Sequence, residues 1–332
     1  MIVANSRKKS PVTYSEIPPF FSLVDYRNNY FTSDDPKKIM EFYNGFENRD
    51  QLIQWMRERP KGVANIHEVE GDKEIIVVIP TADFNGKYAK ECRDNIFKGF
   101  HIIFVESGEI PDPYFNFAHN VNVGIKKAME YNPKWVVFSN DDMKKIDDIG
   151  VLVNELSLID NNKIKIVFTR QSEYHSVKVS IAQNRTLLTK IYKLLYNLIL
   201  KSNSYKEVEN IKKAFSVKWI YGSGKTLLAK IFFKKAIKLI ETSDFSIISA
   251  EFCKNEDAKI FNETYINGGE DWELSFKMTR NRSDYTFVNY KIGDLIGGTL
   301  GEYDKVRQLR DICNIVYFDK QMNICTSASE LS

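Results

Sequence analysis

The chain has 332 residues, of which 43% are hydrophobic and 13% aromatic, with a formal net charge of +3. This composition supports a buried core in one large or two ordinary domains and excludes a disordered chain, a collagen-like chain and a disulfide miniprotein. It also excludes a histone-like polycation, and no nucleic-acid partner is expected. The charge is uneven, however. Residues 185–240, the basic block, hold 13 Lys and Arg against 2 Asp and Glu, which gives this block +11 and leaves −8 for the rest.

The cysteines indicate neither a zinc site nor an oxidising compartment. None forms a Cys-x-x-Cys pair, and no His lies at ligand spacing from any of Cys92, Cys253, Cys313 and Cys325. The N-terminus has no apolar stretch after its charges, and the longest apolar run, near residues 194–200, is far shorter than the roughly 20 residues of a membrane span. The sequence therefore predicts a cytoplasmic protein.

Residues 1–72 are interpreted as an N-terminal extension, because they contain no motif that indicates a chemical function. A helix is predicted from Asp50 to Arg59, where Pro60 ends it. The remainder of the extension contains aromatic residues that would anchor it to a core, namely Tyr14, Phe20, Phe21, Tyr26, Tyr30 and Phe31.

From residue 74 onward, predicted strands and helices alternate. The β-branched run Glu74–Pro80 suits a strand that is covered on both faces. The alternation predicts βαβ crossovers and a doubly wound, mostly parallel, Rossmann-like α/β sheet. The predicted elements are strand 74–80, helix 86–97, strand 101–105, helix 117–131, strand 135–138, helix 149–159 and strand 164–168.

A helical insertion follows at about residues 176–218. Its first helix, Arg185–Leu200, has apolar residues at helical spacing, with Lys190 and Lys193 on the other face. A second helical segment is predicted at 208–215. The apolar positions of the first helix are Leu187, Leu188, Ile191, Leu194, Leu195, Leu198 and Ile199.

Polar residues follow the predicted strands at the edge of the sheet where ligands bind. Asn140-Asp141-Asp142 follows the third strand. Adjacent carboxylates repel each other and are tolerated when they are solvated, or when a divalent cation lies between them and a phosphate. Oxygen ligands of this kind suit Mg²⁺ or Mn²⁺, and the alternative is a solvated loop with a helix N-cap. The other such residues are Thr81 and Asp83 after the first strand, and Glu106 and Ser107 after the second.

The segment Gly268–Leu274 is a second candidate. Its two glycines permit a close approach of the backbone to a ligand. Glu270 and Asp271 then open a helix whose apolar face includes Trp272 and Phe276. Because carboxylates in a first turn are favoured by the helix dipole, capping alone is the alternative explanation of the acidic pair.

Two further motifs are weaker. Asn122 and Gly124 lie in an Asn-rich segment that suits a helix N-terminus passing close to a ligand. Tyr221–Thr226 contains the Gly-Lys-Thr tail of a phosphate-binding loop. Trp219, however, occupies the position where that loop requires its first glycine, so a P-loop nucleoside triphosphatase is not expected.

Taken together and in order, these segments resemble the inverting glycosyltransferases of family 2, which have the GT-A fold. The resemblance covers about residues 74–299, within a main domain of residues 73–300 that precedes a C-terminal segment, 301–332. It implies a hexosyltransferase-type enzyme that moves a sugar from a nucleoside-diphosphate sugar to an acceptor hydroxyl. The matching segments are Ile75–Thr81, Phe104–Gly108, Asn122–Ile125, Asn140–Asp142, Tyr221–Gly224, Phe261–Glu263 and Gly269–Asp271.

The resemblance also assigns roles to the acidic residues. Asp142 matches the last residue of the family's Asp-x-Asp motif, which binds the metal ion, Mn²⁺ or Mg²⁺, on the donor diphosphate. Asp141 or Asn140 would contact the ribose or a metal-bound water, although Asn140 stands where the family has Asp. Asp271, preceded by Glu270, matches the catalytic base.

The donor nucleoside would lie against Thr81, Asp83 and Glu106, where Glu106 replaces a common Asp that reads uracil. Asn122 belongs to the same donor-binding set. The loop that borders donor and acceptor corresponds to Gly222, Ser223 and Gly224.

Asp294 replaces a metal-binding residue of the family. Many members carry a His just before a Gly-Gly-Ser/Thr turn as a third metal ligand, whereas this chain has Asp294 before Gly297-Gly298-Thr299. Asp294 is therefore expected to complete an all-oxygen metal site, with an ordinary turn residue as the alternative. Trp272 is expected on the acceptor side, stacked on a sugar ring, or else in the core.

Three interpretations of the basic block are open. It forms a packed helical hairpin with a solvated Lys-rich face, an amphipathic element that contacts an anionic membrane or lipid-phosphate acceptor, or a homodimer surface. The membrane interpretation makes the protein peripheral to the membrane rather than freely cytoplasmic.

Two other functions remain as alternatives to the transferase. One is a non-catalytic sugar-nucleotide or carbohydrate-binding protein that retains the GT-A fold, and the other is a nucleotidyltransferase. The sequence identifies neither the sugar nor the acceptor, which is a glycan, a lipid-linked molecule or a protein.

Overall fold

The fold is seen in a computed structural model. It describes residues 33–108, 114–169, 177–183, 187, 191, 194, 206–223, 238–242, 244–295 and 305–329. The strands, in chain order, are β1 (Asn65–Val69), β2 (Asp72–Thr81), β3 (Phe100–Glu106), β4 (Trp135–Ser139), β5 (Met143–Lys145), β6 (Ile166–Thr169), β7 (Val177–Gln183), β8 (Trp219–Ser223), β9 (Lys238–Thr242), β10 (Phe245–Ser249), β11 (Tyr285–Val288) and β12 (Ile292–Asp294).

Helices connect most of these strands. Two predicted helices, 86–97 and 117–131, each consist of an α-helix extended by a turn of different pitch. The π-helical Cys92–Ile96 follows the α-helix Lys87–Glu91, and the 3₁₀-helical Met129–Tyr131 follows the α-helix Phe117–Ala128. The α-helices are α1 (Pro36–Asn44), α2 (Arg49–Glu58), α3 (Lys87–Glu91), α4 (Phe117–Ala128), α5 (Ile149–Ser157), α6 (Lys206–Ala214), α7 (Ala250–Asn255), α8 (Glu270–Met278), α9 (Lys305–Arg310) and α10 (Ile312–Ser329).

The central sheet has seven strands in the order β1-β3-β2-β4-β10-β6-β11. Strands β2, β3, β4, β6 and β11 run in one direction, and β1 and β10 run in the other. The expected mixed α/β architecture with a mostly parallel sheet is therefore confirmed. The position of β10, antiparallel between β4 and β6, is not evident from the sequence.

Both faces of the sheet are covered, which explains the continuous apolar runs. Val77 and Ile79 of β2 belong to the core on one face, which includes residues of α3 and α5. Ile76 and Val78 belong to the core on the other face, which includes residues of α4 and α7. Because alternate residues of a strand point to opposite faces, no residue in the centre of β2 is available for a polar role.

A third core joins the two ends of the described chain. Apolar residues of α1, α2, α6, α9 and α10 pack together in it. Phe42 packs edge-on against Trp55, and the Tyr43 hydroxyl donates a 2.6 Å hydrogen bond to the carbonyl of Leu309. The residues from 33 to 69, predicted as an extension, thus contribute α1 and α2 to this core and β1 to the central sheet. The aromatic anchors predicted between Tyr14 and Phe31 lie outside the described residues.

The described strands between β6 and β10 form a separate small sheet. Strands β8, β7 and β9 make a three-stranded antiparallel sheet, and β9 lies beside α8. The predicted helical insertion therefore contains a strand, β7, before its helical part, whereas the segment predicted at 208–215 is confirmed as α6. Lys190, Lys193 and Gly224 lie outside the described residues. In the described part of the chain, no helix is long and apolar enough to cross a membrane.

Candidate functional site

The carboxyl ends of β2, β3 and β4 bring the predicted strand-end residues together. Thr81 and Glu106 are register partners on neighbouring parallel strands, and Ser107 donates its backbone N–H to the Thr81 carbonyl at 3.0 Å. Strand β4 runs parallel to β2 on its other side and ends at Ser139, directly before Asn140-Asp141-Asp142. The structure thus assembles the predicted polar edge.

The Asp141 side chain is positioned by a hydrogen bond from Thr81. The Thr81 hydroxyl donates a 2.7 Å hydrogen bond to Oδ2 of Asp141, and both residues are buried. The Asp141 carbonyl accepts a hydrogen bond from Sγ of Cys92 at 3.2 Å. Since Asp141 and Asp142 are both buried, the alternative of a solvated loop is wrong.

Asp142 lies in a group of three carboxylates. Strand β12 pairs with β5, which places Asp294 opposite Met143, and Leu295 donates its N–H to the Asp142 carbonyl at 2.9 Å. On the other side, Asn140 donates its N–H to the carbonyl of Asp244 at 3.1 Å. Asp294, a predicted site residue, is therefore brought next to Asp142.

The charges of this group act on one another. Burial, followed by the charges of Asp142 and Asp244, raises the pKa of Asp294 to about 6. Burial, followed by the charge of Asp142, also raises the pKa of Asp244, while Arg307 opposes both shifts. A bound cation would relieve this repulsion, and carboxylate oxygens are the donors that Mg²⁺ and Mn²⁺ prefer. Among the described residues, however, no three His, Cys, Asp or Glu side chains already form a metal-binding group.

Asp244 was not predicted as a site residue. It directly precedes β10, and Phe245 is the register partner of Ser139 because β10 runs antiparallel to β4. The start of β10 therefore lies at the same edge as the end of β4. Only the direction of β10, which no local pattern reveals, would have identified Asp244.

Glu106 is held by residues from two other elements. One carboxylate oxygen accepts a 3.1 Å hydrogen bond from the Phe84 N–H, and the other lies 3.1 Å from Nε2 of His67. The rings of His67 and Phe84 are stacked at 4.5 Å, and the Arg93 guanidinium lies over the Phe84 ring. His67, which sequence reasoning missed, comes from the edge strand β1, within the predicted extension. Its signal was weak, a short alternating stretch at 65–69.

Asp83, the remaining predicted nucleoside contact, forms the turn that follows β2. Its N–H lies 3.3 Å from the Thr81 hydroxyl oxygen, and its Oδ1 accepts a 2.9 Å hydrogen bond from the N–H of Asn85. The side chain is thus turned toward its own loop.

A left-handed glycine begins the helix of the acidic pair. Gly269 has φ +91°, and a Cβ there would lie 3.1 Å from the Tyr265 ring, so a glycine is required. Buried Glu270 turns back to accept a 2.8 Å hydrogen bond from the Gly268 N–H. Burial and, second, the charge of Asp271 raise the pKa of Glu270 to about 8. The protonated form of the Glu270 carboxyl is therefore favoured at neutral pH.

Asp271 itself is half-buried. It borders a small cavity together with Phe138 near the end of β4 and Ser246 near the start of β10. These two residues are register partners, and they lie two positions from Asn140 and Asp244, respectively. The structure thus places Asp271 beside β4 and β10 near the ends that adjoin Asn140 and Asp244.

The loop before α8 is fastened to α4. The Asn122 side chain donates to the Phe261 carbonyl at 2.8 Å and accepts from the Phe261 N–H at 3.0 Å. It also donates to Oε1 of Glu263 at 3.0 Å, while Oε2 lies 3.2 Å from Nδ1 of His119. Asn122, predicted to bind the donor, thus bonds to this loop and helps to fix the conformation of the chain that leads to Gly269.

The other predicted residues lie in α8 and β8. Trp272 is half-buried, and its ring packs edge-on against Phe318 of α10 at 5.7 Å, so its ring contacts the third core. Gly222 and Ser223 end strand β8, opposite Ser180 and Val179 of β7.

Comparison of the sequence with protein-family models finds no matching family, and comparison with curated proteins finds no match. The site is therefore interpreted from its own geometry. It combines an acidic group able to attract a cation with a separate carboxylate, Asp271, whose neighbour Glu270 has a raised pKa.

Proposed function

We propose that this protein is a metal-dependent inverting glycosyltransferase that moves a sugar from a nucleoside-diphosphate sugar to an acceptor hydroxyl. The proposal is supported most directly by the placement of two acidic segments around β4. Asp142 follows the end of β4 and interacts with Asp244 and Asp294, and Asp271 borders a cavity with Phe138 of the same strand. Such a site separates the group that holds a diphosphate from the group that takes a proton.

Each carboxylate then has a distinct task. Asp142 would hold a divalent cation, with Asp294 and Asp244 as further oxygen donors. That cation, when bound, neutralises the negative charge that develops on the leaving diphosphate. Asp141, fixed by Thr81, orients the ribose side of the donor, and Glu106, fixed by His67 and Phe84, faces the nucleobase.

Asp271 acts on the acceptor. A sugar hydroxyl is too weakly acidic to attack well unaided, and a carboxylate within hydrogen-bond reach removes its proton as the new bond forms. The hydroxyl oxygen bonds to the anomeric carbon while the bond from that carbon to the diphosphate oxygen breaks, and its electron pair leaves with the nucleoside diphosphate. Attack from the side opposite the diphosphate inverts the configuration at that carbon.

The raised pKa of Glu270 supports this assignment. A second negative carboxylate next to Asp271 would raise the pKa of both groups and make each harder to ionise. Because Glu270 is buried, its raised pKa of about 8 favours the protonated form at neutral pH and so reduces the negative charge beside Asp271.

Release of nucleoside diphosphate from a panel of sugar nucleotides, with Mn²⁺ and with a chelator, tests the proposal. We expect turnover of at least one donor, dependent on Mn²⁺. Absence of both turnover and binding across the panel would contradict it. Tight binding of a donor without turnover or transfer would instead favour the alternative of a non-catalytic sugar-nucleotide-binding protein.

A further inference from the structure

The small cavity beside Asp271 is a polar site within an otherwise apolar core. It lies between α8 and the central sheet, and the space available to the centre of a water molecule is about 10 Å³, which is room for one water. Most of its walls belong to the core that includes residues of α4 and α7. The polar lining residues are Ser246, Asp271 and Ser275, and the apolar ones are Phe138, Ile166, Phe168, Phe261 and Leu274.

Ser275 gives the first reason to expect a ligand in this cavity. Only 2% of the residue is exposed, and its hydroxyl has no hydrogen-bond partner among the described residues. A buried hydroxyl without a partner costs free energy, so such groups in folded proteins are usually bonded to the protein or to an ordered water. Leu274 and Ser275 follow Asp271 by three and four residues, so the three residues share the face of α8 that borders the cavity.

Ser246 provides a second hydroxyl, from the sheet side of the cavity. Ile248, two residues further along β10, belongs to the same core as the apolar walls of the cavity, whereas Ile247 belongs to the core on the opposite face of the sheet. Because alternate residues of a strand point to opposite faces, the side chain of Ser246 points toward the cavity. The hydroxyls of Ser246 and Ser275 therefore border one space that holds a single water.

The polar lining residues distinguish a hydrated cavity from a dry one. A cavity lined only by aliphatic and aromatic groups stays dry, whereas a buried water makes about two to four hydrogen bonds to polar groups. Two serine hydroxyls and one carboxylate meet this requirement, because a hydroxyl donates or accepts and a carboxylate accepts. A ligand larger than water does not fit in the space.

We propose that this cavity binds one structural water molecule, which links the hydroxyls of Ser246 and Ser275 to the carboxylate of Asp271. The water donates one hydrogen bond to the carboxylate and so holds it in one orientation. Ser275 is then a positioning residue, which acts through Asp271 and does not touch the substrate. This consequence for catalysis rests on the proposed role of Asp271 as the base, whereas the water site itself does not.

A double-mutant cycle in stability tests the water site without any substrate. The effect of Ser275→Ala on the equilibrium constant for unfolding, measured by urea denaturation, should differ by about fivefold between the wild-type and Ser246→Ala backgrounds, because loss of either serine weakens binding of the shared water. The helix propensity of alanine is the same in both backgrounds and cancels. Additive effects of the two substitutions would overturn the proposal.

Ser249→Ala is the matched control for this cycle. It removes another buried serine of β10, but one whose hydroxyl accepts a hydrogen bond from the Phe252 N–H and which does not line the cavity. Its effect should therefore add to that of Ser275→Ala. A crystal structure at high resolution should also show water density within hydrogen-bond distance of the Ser275 hydroxyl oxygen, and absence of this density in the wild-type protein would contradict the proposal.

The positioning role has its own measurement. Ser275→Ala should lower kcat about tenfold and leave KM for the donor unchanged, because the carboxylate loses an orienting bond while the residues proposed to hold the donor are intact. Coupled stability with unchanged kcat in an active enzyme would show that the water does not position Asp271. If the wild-type protein transfers no sugar, the proposed function fails, and the cycle and the water density still decide the water site.

Discussion

Thr81 and Asp141, at the ends of two parallel strands, share a 2.7 Å hydrogen bond in which the threonine hydroxyl is the donor. Both side chains are buried, so the Asp141 carboxylate depends on this bond for part of its solvation. We expect Thr81→Val to destabilise the protein by about 1–3 kcal/mol, the usual effect of removing one partner of a buried hydrogen bond. Thr81→Ser keeps the hydroxyl and should stay close to wild type. Urea denaturation measures both, and equal stability of the Val and Ser variants would contradict the assignment.

Asp271→Asn should fold normally yet lose transfer by about 10²–10⁴-fold, because an amide cannot accept the acceptor proton. The measurement is kcat with saturating donor. Asp257→Asn, at a carboxylate whose side chain is 93% exposed, is the matched control and should keep full activity. Full residual activity of Asp271→Asn would remove Asp271 as the base.

Glu270 should make the protein less stable as the pH rises. Its folded-state pKa is about 8, above the ordinary value of 4.5, so between these values the folded state binds a proton that the unfolded state has lost. The free energy of unfolding therefore decreases by about 1.4 kcal/mol per pH unit through this window. Its contribution is fully present below pH 4.5 and is lost above pH 8.

Glu270→Gln mimics the protonated side chain and tests this dependence. The variant should lose most of the decrease in stability between pH 5 and pH 8 that denaturant titration detects in the wild type. Glu251→Gln, at an exposed glutamate of α7, should keep the wild-type slope. Parallel slopes for Glu270→Gln and wild type would show that the Glu270 carboxyl is ionised in the folded state at pH 7.

Asp294→Ala should weaken binding of Mn²⁺ at least about tenfold, because it removes one of the grouped carboxylates that would hold the cation. Asp244→Asn should weaken Mn²⁺ binding in the same direction, although Asp244 lies about 50 residues upstream of Asp294. Calorimetric titration with Mn²⁺ alone measures the affinity. Asp94→Ala, at an exposed carboxylate of the π-helical turn, is the control. Unchanged affinity in Asp294→Ala would exclude Asp294 as a ligand.

His67 should affect donor affinity more than the rate of transfer. It lies 3.1 Å from the Glu106 carboxylate and does not approach the residues proposed to act on the acceptor. His67→Ala is therefore expected to raise KM for the donor about tenfold with little change in kcat, since about 1.4 kcal/mol corresponds to a factor of ten. His67→Gln retains an N–H donor and should restore part of the affinity. A fall in kcat without a change in KM would exclude this positioning role.

The sequence predicts the residues of the site that follow parallel strands. Thr81, Glu106 and Asp142 were found because a buried apolar run that ends in polar residues marks the carboxyl edge of such a sheet. Asp271 was found because two glycines precede an acidic helix start. In each case the signal lies within a few residues of the site residue itself.

Other site residues depend on contacts that local patterns do not encode. Asp244 reaches the edge because β10 runs against its neighbours, and His67 reaches Glu106 because β1 pairs with β3. Trp272 and Asn122 were predicted to bind a ligand but make contacts within the protein instead. Their residue types suit ligand binding, but Phe318 and Phe261, both distant in sequence, engage them. Tertiary packing, rather than propensity, decides these four positions.

Strands β6 and β10 pair antiparallel, as the two strands of a hairpin do, but residues 170–244 lie between them in the chain. Ile247 pairs with Val167 and Ile248 with Ile166, so β6 ends and β10 begins at the same edge of the sheet. A short turn can join such strands. The intervening residues hold the whole basic block, and they also supply α6 to the third core. The length of the parts outside α6 can therefore vary while β6 and β10 remain paired in the central sheet.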